Sequence, residues 1–385
     1  MDVKQIYNLL NTITEEITGR SDIVSEDLSN IVDVGTTIFN ATDVDNYVKS
    51  LVNHIGKVIF VNRPYSGGAP SVLMDAWEFG SVLEKITAEL PDAEENESWE
   101  LTDRASYDPN IFYKPTVTAK FFNKRTTFEI PVSFTEKQVK ESFNSKEQVN
   151  GFISMIYNAV DTSLTIKVDS LIARTVNNMI AETVYDDFGG ASLSSKSGIK
   201  AVNLLKLYND IFTDATLTAD ECLTNSDFLK FAAYRIGAYS GYLSKVSTLF
   251  NIGGKDRFTA YDRMHVIMLT DFKKAADVYL QASTFHDEFT RFPASEDVPY
   301  WQGSGDSFEF EDISNVKVTT ASGNSVDVSG VLCVMFDRES LGVSNVDRRV
   351  TTNYNPKAEF YTNWYKNDAG YFNDTNENFV VFFVA

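Results

Sequence analysis

Two cysteines among 385 residues, Cys222 and Cys333, lie far apart and leave no material for a disulfide framework. Both read as buried, inert thiols of the kind kept in a reducing compartment. Histidine is nearly as scarce, and His54, His265 and His286 have no metal-ligand spacing. No run approaches the roughly 18 apolar residues of a membrane span. The opening Met1-Asp2-Val3-Lys4-Gln5 has no basic-then-apolar signal, so the expectation is a soluble chain with no membrane partner. Basic charge is in deficit, with 34 Lys and Arg against 54 Asp and Glu, a formal net charge of −20. Phosphate contact needs clustered Lys and Arg, which excludes a general nucleic-acid binder.

What is present is core material. Twenty-eight Phe and 18 Tyr, with a hydrophobic share of 43%, exclude disorder as the main state. The charge is unevenly spread. Residues 61–112 carry 3 basic and 11 acidic side chains, 113–150 reverse to 7 and 4, and 293–343 return to 2 and 9. A solvated loop explains an acidic run in the simplest way. The sharper reading is that the acidic tip and the basic strand after it meet on different copies of the chain.

Ile6, Leu9, Leu10, Ile13 and Ile17 predict a first helix, irregular polar text follows, and a second short helix is expected at 45–56. This part holds too little apolar mass to close a core and reads as an arm. Residues 64–135 read as a long excursion opened by the turn Pro64-Tyr65-Ser66-Gly67-Gly68. Its return strand, 116–134, alternates Val117, Ala119 and Phe121 with Thr118, Lys120 and Phe122, and Pro115 and Pro131 limit it to edge or two-stranded pairing. From Ser145 to Thr183 apolar residues recur at three- and four-residue spacing, with Asn144/Glu147 or Ser145/Gln148 as a cap and Gly189-Gly190 as the stop. That predicts a single helix roughly 58 Å long. Helices at 199–212 and 226–249, strands at 264–269, 308–313, 316–319 and 331–336, and a helix begun by Thr270 or Asp271 complete an α+β chain.

No catalytic or binding motif in the chain is complete. Gly253-Gly254-Lys255 fails the phosphate-loop pattern, because no glycine stands at the required place before it and Asp256 follows the lysine. Asp374-Thr375-Asn376-Glu377-Asn378 resembles half of a calcium loop, but Phe379 occupies the glycine position. Gly303-Ser304-Gly305-Asp306-Ser307 lacks the strand-then-helix context of a hydrolase nucleophile. Cys333 sits in an apolar strand, and the Glu94-Glu95 pair sits in an exposed run. No catalytic, cofactor-binding or metal residue is assigned, and the chain reads as no enzyme.

The closing text is distinctive: Arg348-Arg349-Val350-Thr351-Thr352-Asn353-Tyr354-Asn355-Pro356, then Tyr361-Thr362-Asn363-Trp364-Tyr365, then Asn378-Phe379-Val380-Val381-Phe382. Before it stands Val334-Met335-Phe336-Asp337-Arg338-Glu339-Ser340-Leu341-Gly342. This series resembles the end of the major capsid proteins of tailed bacteriophages, with the Hong Kong 97-type fold. Residues 152–175 resemble the spine helix of the small short-tailed phage branch. The resemblance implies an N-terminal arm at 1–60, an extended β-hairpin loop with flanking strands at 61–140, and a spine helix of the peripheral domain at 141–189. It further implies an axial domain at 190–340, with 293–330 open as an insertion, and closing peripheral strands at 341–385.

The implied function is a structural one: self-assembly into pentamers and hexamers of an icosahedral phage head around double-stranded DNA. The implied partners are further copies of the chain, scaffold and portal proteins, and packaged DNA enclosed without tight binding. The implied location is the virion, assembled in the host bacterial cytoplasm. Glu94, Glu95 and Glu97 are expected to face Lys120, Lys124 or Arg125 of a neighbouring subunit. An encapsulin-like compartment and an α/β enzyme with unrecognised motifs are the rival readings.

Overall fold

A computed structural model of the chain describes residues 3–18, 24–40, 47, 50–51, 72–74, 83–91, 96, 100–283, 294–302, 308–320 and 323–385. One helix organises them. Helix α4 (Lys146–Phe188) runs 43 residues, about 64 Å at the usual rise. The Ser145 hydroxyl accepts a hydrogen bond from the Gln148 amide at its start, as one of the two cap readings required. Gly189 ends it at φ 57°, the left-handed conformation that glycine adopts without a Cβ penalty.

Two separate cores share this rod. Its C-terminal half, from Val168 to Phe188, is buried on several sides at once. There it packs on a five-stranded sheet ordered β5 (Ala201–Asn203), β13 (Phe379–Phe383), β10 (Val331–Asp337), β6 (Met264–Leu269), β7 (Glu296–Val298). The inner pairs of that sheet are antiparallel and its two edge pairs parallel. Helices α5 (Leu204–Ile211), α6 (Ser226–Leu243) and α7 (Thr270–Ser283) cover it. The hairpin of β8 (Val316–Thr319) and β9 (Ser325–Val328) lies along α4 as well. Trp301 ties that section in: its indole donates to Val331 O at 2.7 Å, and Asn177 of α4 donates to its carbonyl at 2.6 Å. The described part of 293–330 is therefore continuous with the first core.

The N-terminal half of α4, from Val149 to Leu164, presents a narrower apolar stripe to the second core. Facing it is a four-stranded sheet ordered β1 (Leu73–Met74), β11 (Leu341–Asn355), β12 (Phe360–Asn373), β4 (Arg125–Thr135). Strand β12 alternates, burying Tyr361, Asn363, Tyr365, Asn367 and Ala369. Pro131 stands on β4, an edge strand, where a missing N–H is tolerated. Helix α3 (Glu136–Ser142) joins β4 to the spine, opened by a capping box between Thr135 and Gln138.

Several elements differ from expectation. The polar text after the first helix, α1 (Val3–Thr18), contains a helix, α2 (Ile31–Asn40). Its Ile31 and Val34 are buried, and Gly35 lets Phe143 approach so closely that a Cβ would collide with it. The first 60 residues thus do contribute to a core. Residues 201–203 are strand, because they pair with β13; Asn203 then caps α5 by accepting from the Lys206 amide. Helix α6 ends at Leu243 with Gly237 and Gly241 inside it, and Phe310–Ile313 is a short helix, α8, in place of a strand. The helix expected at 45–56 and the turn at 64–68 fall outside the described residues apart from Tyr47, Ser50 and Leu51.

Candidate assembly surface

The return strand of the excursion divides at Asn123-Lys124 into β3 (Val117–Phe122) and β4. Strand β3 pairs antiparallel with β2 (Leu83–Ala88) to make a hairpin stem. Directly opposed residues share a face, so the register defines two faces. Lys85 opposes Lys120, Thr87 opposes Thr118, and Phe122 opposes Leu83 on one. Glu84 opposes Phe121, Ile86 opposes Ala119, and Ala88 opposes Val117 on the other.

The first face docks on the chain itself. Phe122 is buried against Phe372, with ring centroids 5.0 Å apart. Lys85 Nζ lies 3.0 Å from Asp374 and 2.7 Å from Glu377, and Lys120 Nζ donates to Asp374 at 2.9 Å and to Thr375 at 3.1 Å. The Asp374 side chain is only 2% exposed. Burial alone would raise its carboxyl, but the Lys85 charge and the Lys120 hydrogen bond outweigh burial and hold it below the usual carboxylate range. Burial likewise opposes ionisation of Glu339, and Lys85 with Arg263 reverses the effect.

Among the described residues nothing covers the second face. Ile86 is 65% exposed, Phe121 61% and Val117 55%. Beyond the stem, residues 100–116 are exposed throughout, with Phe112 at 84%. Apolar residues scattered singly on a surface need no explanation, but an apolar stripe on a strand pair marks an interaction site.

The charged residues expected at a neighbour contact are distributed differently. Glu94, Glu95 and Glu97 lie outside the described residues. Lys120 is half-buried and engaged by Asp374 and Thr375 of its own chain. Lys124 and Arg125 are exposed at the β3–β4 junction, where the Tyr371 amide donates to Lys124 O at 3.2 Å. Lys120 is thus taken up within its own chain, and Lys124 and Arg125 are the exposed members of the set, with the Arg125 charge acting on Asp368.

The other candidates are structural. Burial pushes the Cys222 thiol up to about 12 and raises Cys333 further, so neither is a ready nucleophile. His265 is buried in β6 and stacked on Phe336. Gly303–Ser307 lies outside the described residues. Among the described residues no group of three or more His, Cys, Asp or Glu is placed to hold a metal ion, and no helix is long and apolar enough to cross a membrane.

Two cores thus share one long helix, and among the described residues one face of the hairpin stem is left exposed. The Phi29-like phage major capsid protein family model matches residues 10–383. The chain belongs to that family; it is a capsid shell protein of the virion with the Hong Kong 97-type fold. Solved capsids are similar at low identity. The capsid of Staphylococcus phage Andhra is 11% identical over 84% of this chain and 86% of its own, with TM-score 0.46. The capsid of Cyanophage P-SCSP1u is 10% identical over 85% and 92%, with TM-score 0.45. No curated protein matches the sequence. Family membership does not favour the compartment and enzyme readings.

Proposed function

We propose that the chain builds an icosahedral head of pentamers and hexamers around double-stranded DNA, and that the β2–β3 stem is the hook by which one copy holds the next. One observation carries this: the stem turns its charged face inward on its own chain and leaves Ile86, Val117 and Phe121 outside. A second copy of the chain is the occupant that fits, since membership of a shell family makes self-association the chain's task. Obligate interfaces of this type bury roughly 2,000 Å² or more.

In this reading the five-stranded lobe is the axial domain and the four-stranded lobe the peripheral domain. Scaffold and portal proteins direct assembly in the host cytoplasm. The net charge of −20 keeps the wall from gripping the packaged DNA. Glu94, Glu95 and Glu97 of one copy face Lys124 and Arg125 of the next. The chain's role is structural, without catalysis.

Electron microscopy of the purified chain and of Phe121→Asp tests the hook. Shells from the parent and none from the variant, with both chains folded, is the expected result. Normal shells from Phe121→Asp would remove the stem from the interface. Reversing the three glutamates to Lys is expected to impair assembly at low salt, and reversing Lys124 and Arg125 as well to restore part of it. Unchanged assembly in the glutamate variant would sink the charge pairing.

A further inference from the structure

Two loops that resemble binding motifs and match neither meet at the root of the hairpin. The Gly253 amide donates to Thr375 O at 2.8 Å, and a Cβ on Gly253 would run into the Asn376 side chain. Gly253-Gly254-Lys255 is thereby seated on Asp374-Thr375-Asn376-Glu377-Asn378. The second loop is fixed by its own bonds, with the Asp374 amide donating to Ser340 O at 2.6 Å and the Asn376 amide to Asp374 Oδ1 at 3.0 Å. What the pair of loops holds is the stem. Asp374 and Glu377 take Lys85, Asp374 also takes Lys120, and Lys255 pairs with Glu89 just past β2. Glu339, held by Arg263, lies 3.3 Å from Lys85, and Arg257 lies 3.2 Å from Glu377.

We propose that this ion-pair cluster is a clasp that folds the stem and sets its roll, so that the apolar face is the one presented outward. Lys85 and Lys120 stand directly opposite each other, and like charges in that position destabilise a strand pair. The stem by itself is therefore opposed by its own sequence. Asp374, reaching both ammonium groups, turns that repulsion into a bridge. Rolling the stem over would set Glu84 and Phe121 against Asp374 and Glu377, a like-charge contact with two lysines left unpaired. Ionic groups in this role give one arrangement its advantage over its alternatives. Both loops lie more than a hundred residues from the strands they hold, and the two lysines come from opposite ends of the excursion.

The outward presentation rests on the hook reading of the preceding subsection, but the clasp is tested without assembly. Amide hydrogen exchange on the full, unassembled chain compares the parent with Lys85→Glu/Lys120→Glu and with Ile86→Lys. Ile86 is exposed and Lys85 and Lys120 are half-buried against Asp374, and none of the three belongs to either apolar core. The clasp predicts at least tenfold faster exchange at the β2–β3 amides in Lys85→Glu/Lys120→Glu, with β10 unchanged. Ile86→Lys, on the opposite face, stays within twofold of the parent. Stem exchange within twofold of the parent in Lys85→Glu/Lys120→Glu overturns the clasp, and so does an equal loss in Ile86→Lys, which would mean strand propensity alone. If the parent forms no shells by electron microscopy, the hook fails while the exchange result still decides the clasp.

Discussion

Strands β10 and β3 both carry apolar side chains, six of seven residues in the one and four of six in the other, and these meet opposite fates. All seven residues of β10, Val331–Asp337, are buried between neighbours on both edges. In β3 Phe122 alone is buried, while Val117 and Phe121 face outward. Composition marks β10 as the more apolar strand, but topology sets where the apolar residues of each lie. Strand β10 is central in a sheet backed by α4, so its side chains lose water within one chain. Strand β3 projects on a two-stranded stem, which cannot cover both of its faces. The lesson is that apolar content measures how much surface must be buried, and the fold decides which chain buries it.

That difference gives a graded set of outcomes. Phe336→Ala, in the centre of β10, is expected to cost about 3–5 kcal/mol of chain stability in urea unfolding. Phe121→Ala, in β3, is expected to stay within about 0.5 kcal/mol in the same measurement, while reducing the yield of shells. Equal effects on chain stability would erase the distinction between the strands.

Acid sharpens the comparison next. Asp374 and Glu339 have carboxyls held below their ordinary values. Their stabilisation is therefore complete above the ordinary carboxylate pKa near about 4 and is lost as pH falls through the lower folded values. The groups facing them are Lys85, Lys120, Arg257, Arg263 and Lys255, with Glu377 and Glu89 beside them. Stem amides, corrected for intrinsic exchange, are expected to lose protection as pH falls below about 4, before those of β10 do. Simultaneous loss in both strands would place the acid sensitivity elsewhere. A modest effect belongs to the rod that joins the cores: Ser145→Ala removes one cap bond and is expected to cost about 1 kcal/mol in urea unfolding.

Legibility in the sequence followed the same divide. Helix α4 could be read because its apolar spacing, Ser145 and Gly189 are all local signals in agreement. Helix α2 could not, because Gly35, Thr36 and Thr37 weaken its propensity; the close packing of Phe143 onto Gly35 supplies what propensity lacks. Phe310–Ile313 reads as a strand by composition and becomes a helix whose Ile313 carbonyl accepts from Trp301 N, a contact across the fold. The alternation along β3 was visible, but not that its apolar set would face away from the chain. Lys120 looked available because its partner Asp374 lies 254 residues away. The one clue to the clasp was a pair of motif-like loops with charges and no function to match.

The most direct test of the account is an electron cryo-microscopy map of the assembled shell, resolved to side chains at the β2–β3 stem. Ile86, Val117 and Phe121 are expected to pack on a second copy, with Lys85 and Lys120 still on Asp374 of their own chain. A shell in which those three apolar side chains face solvent would contradict it.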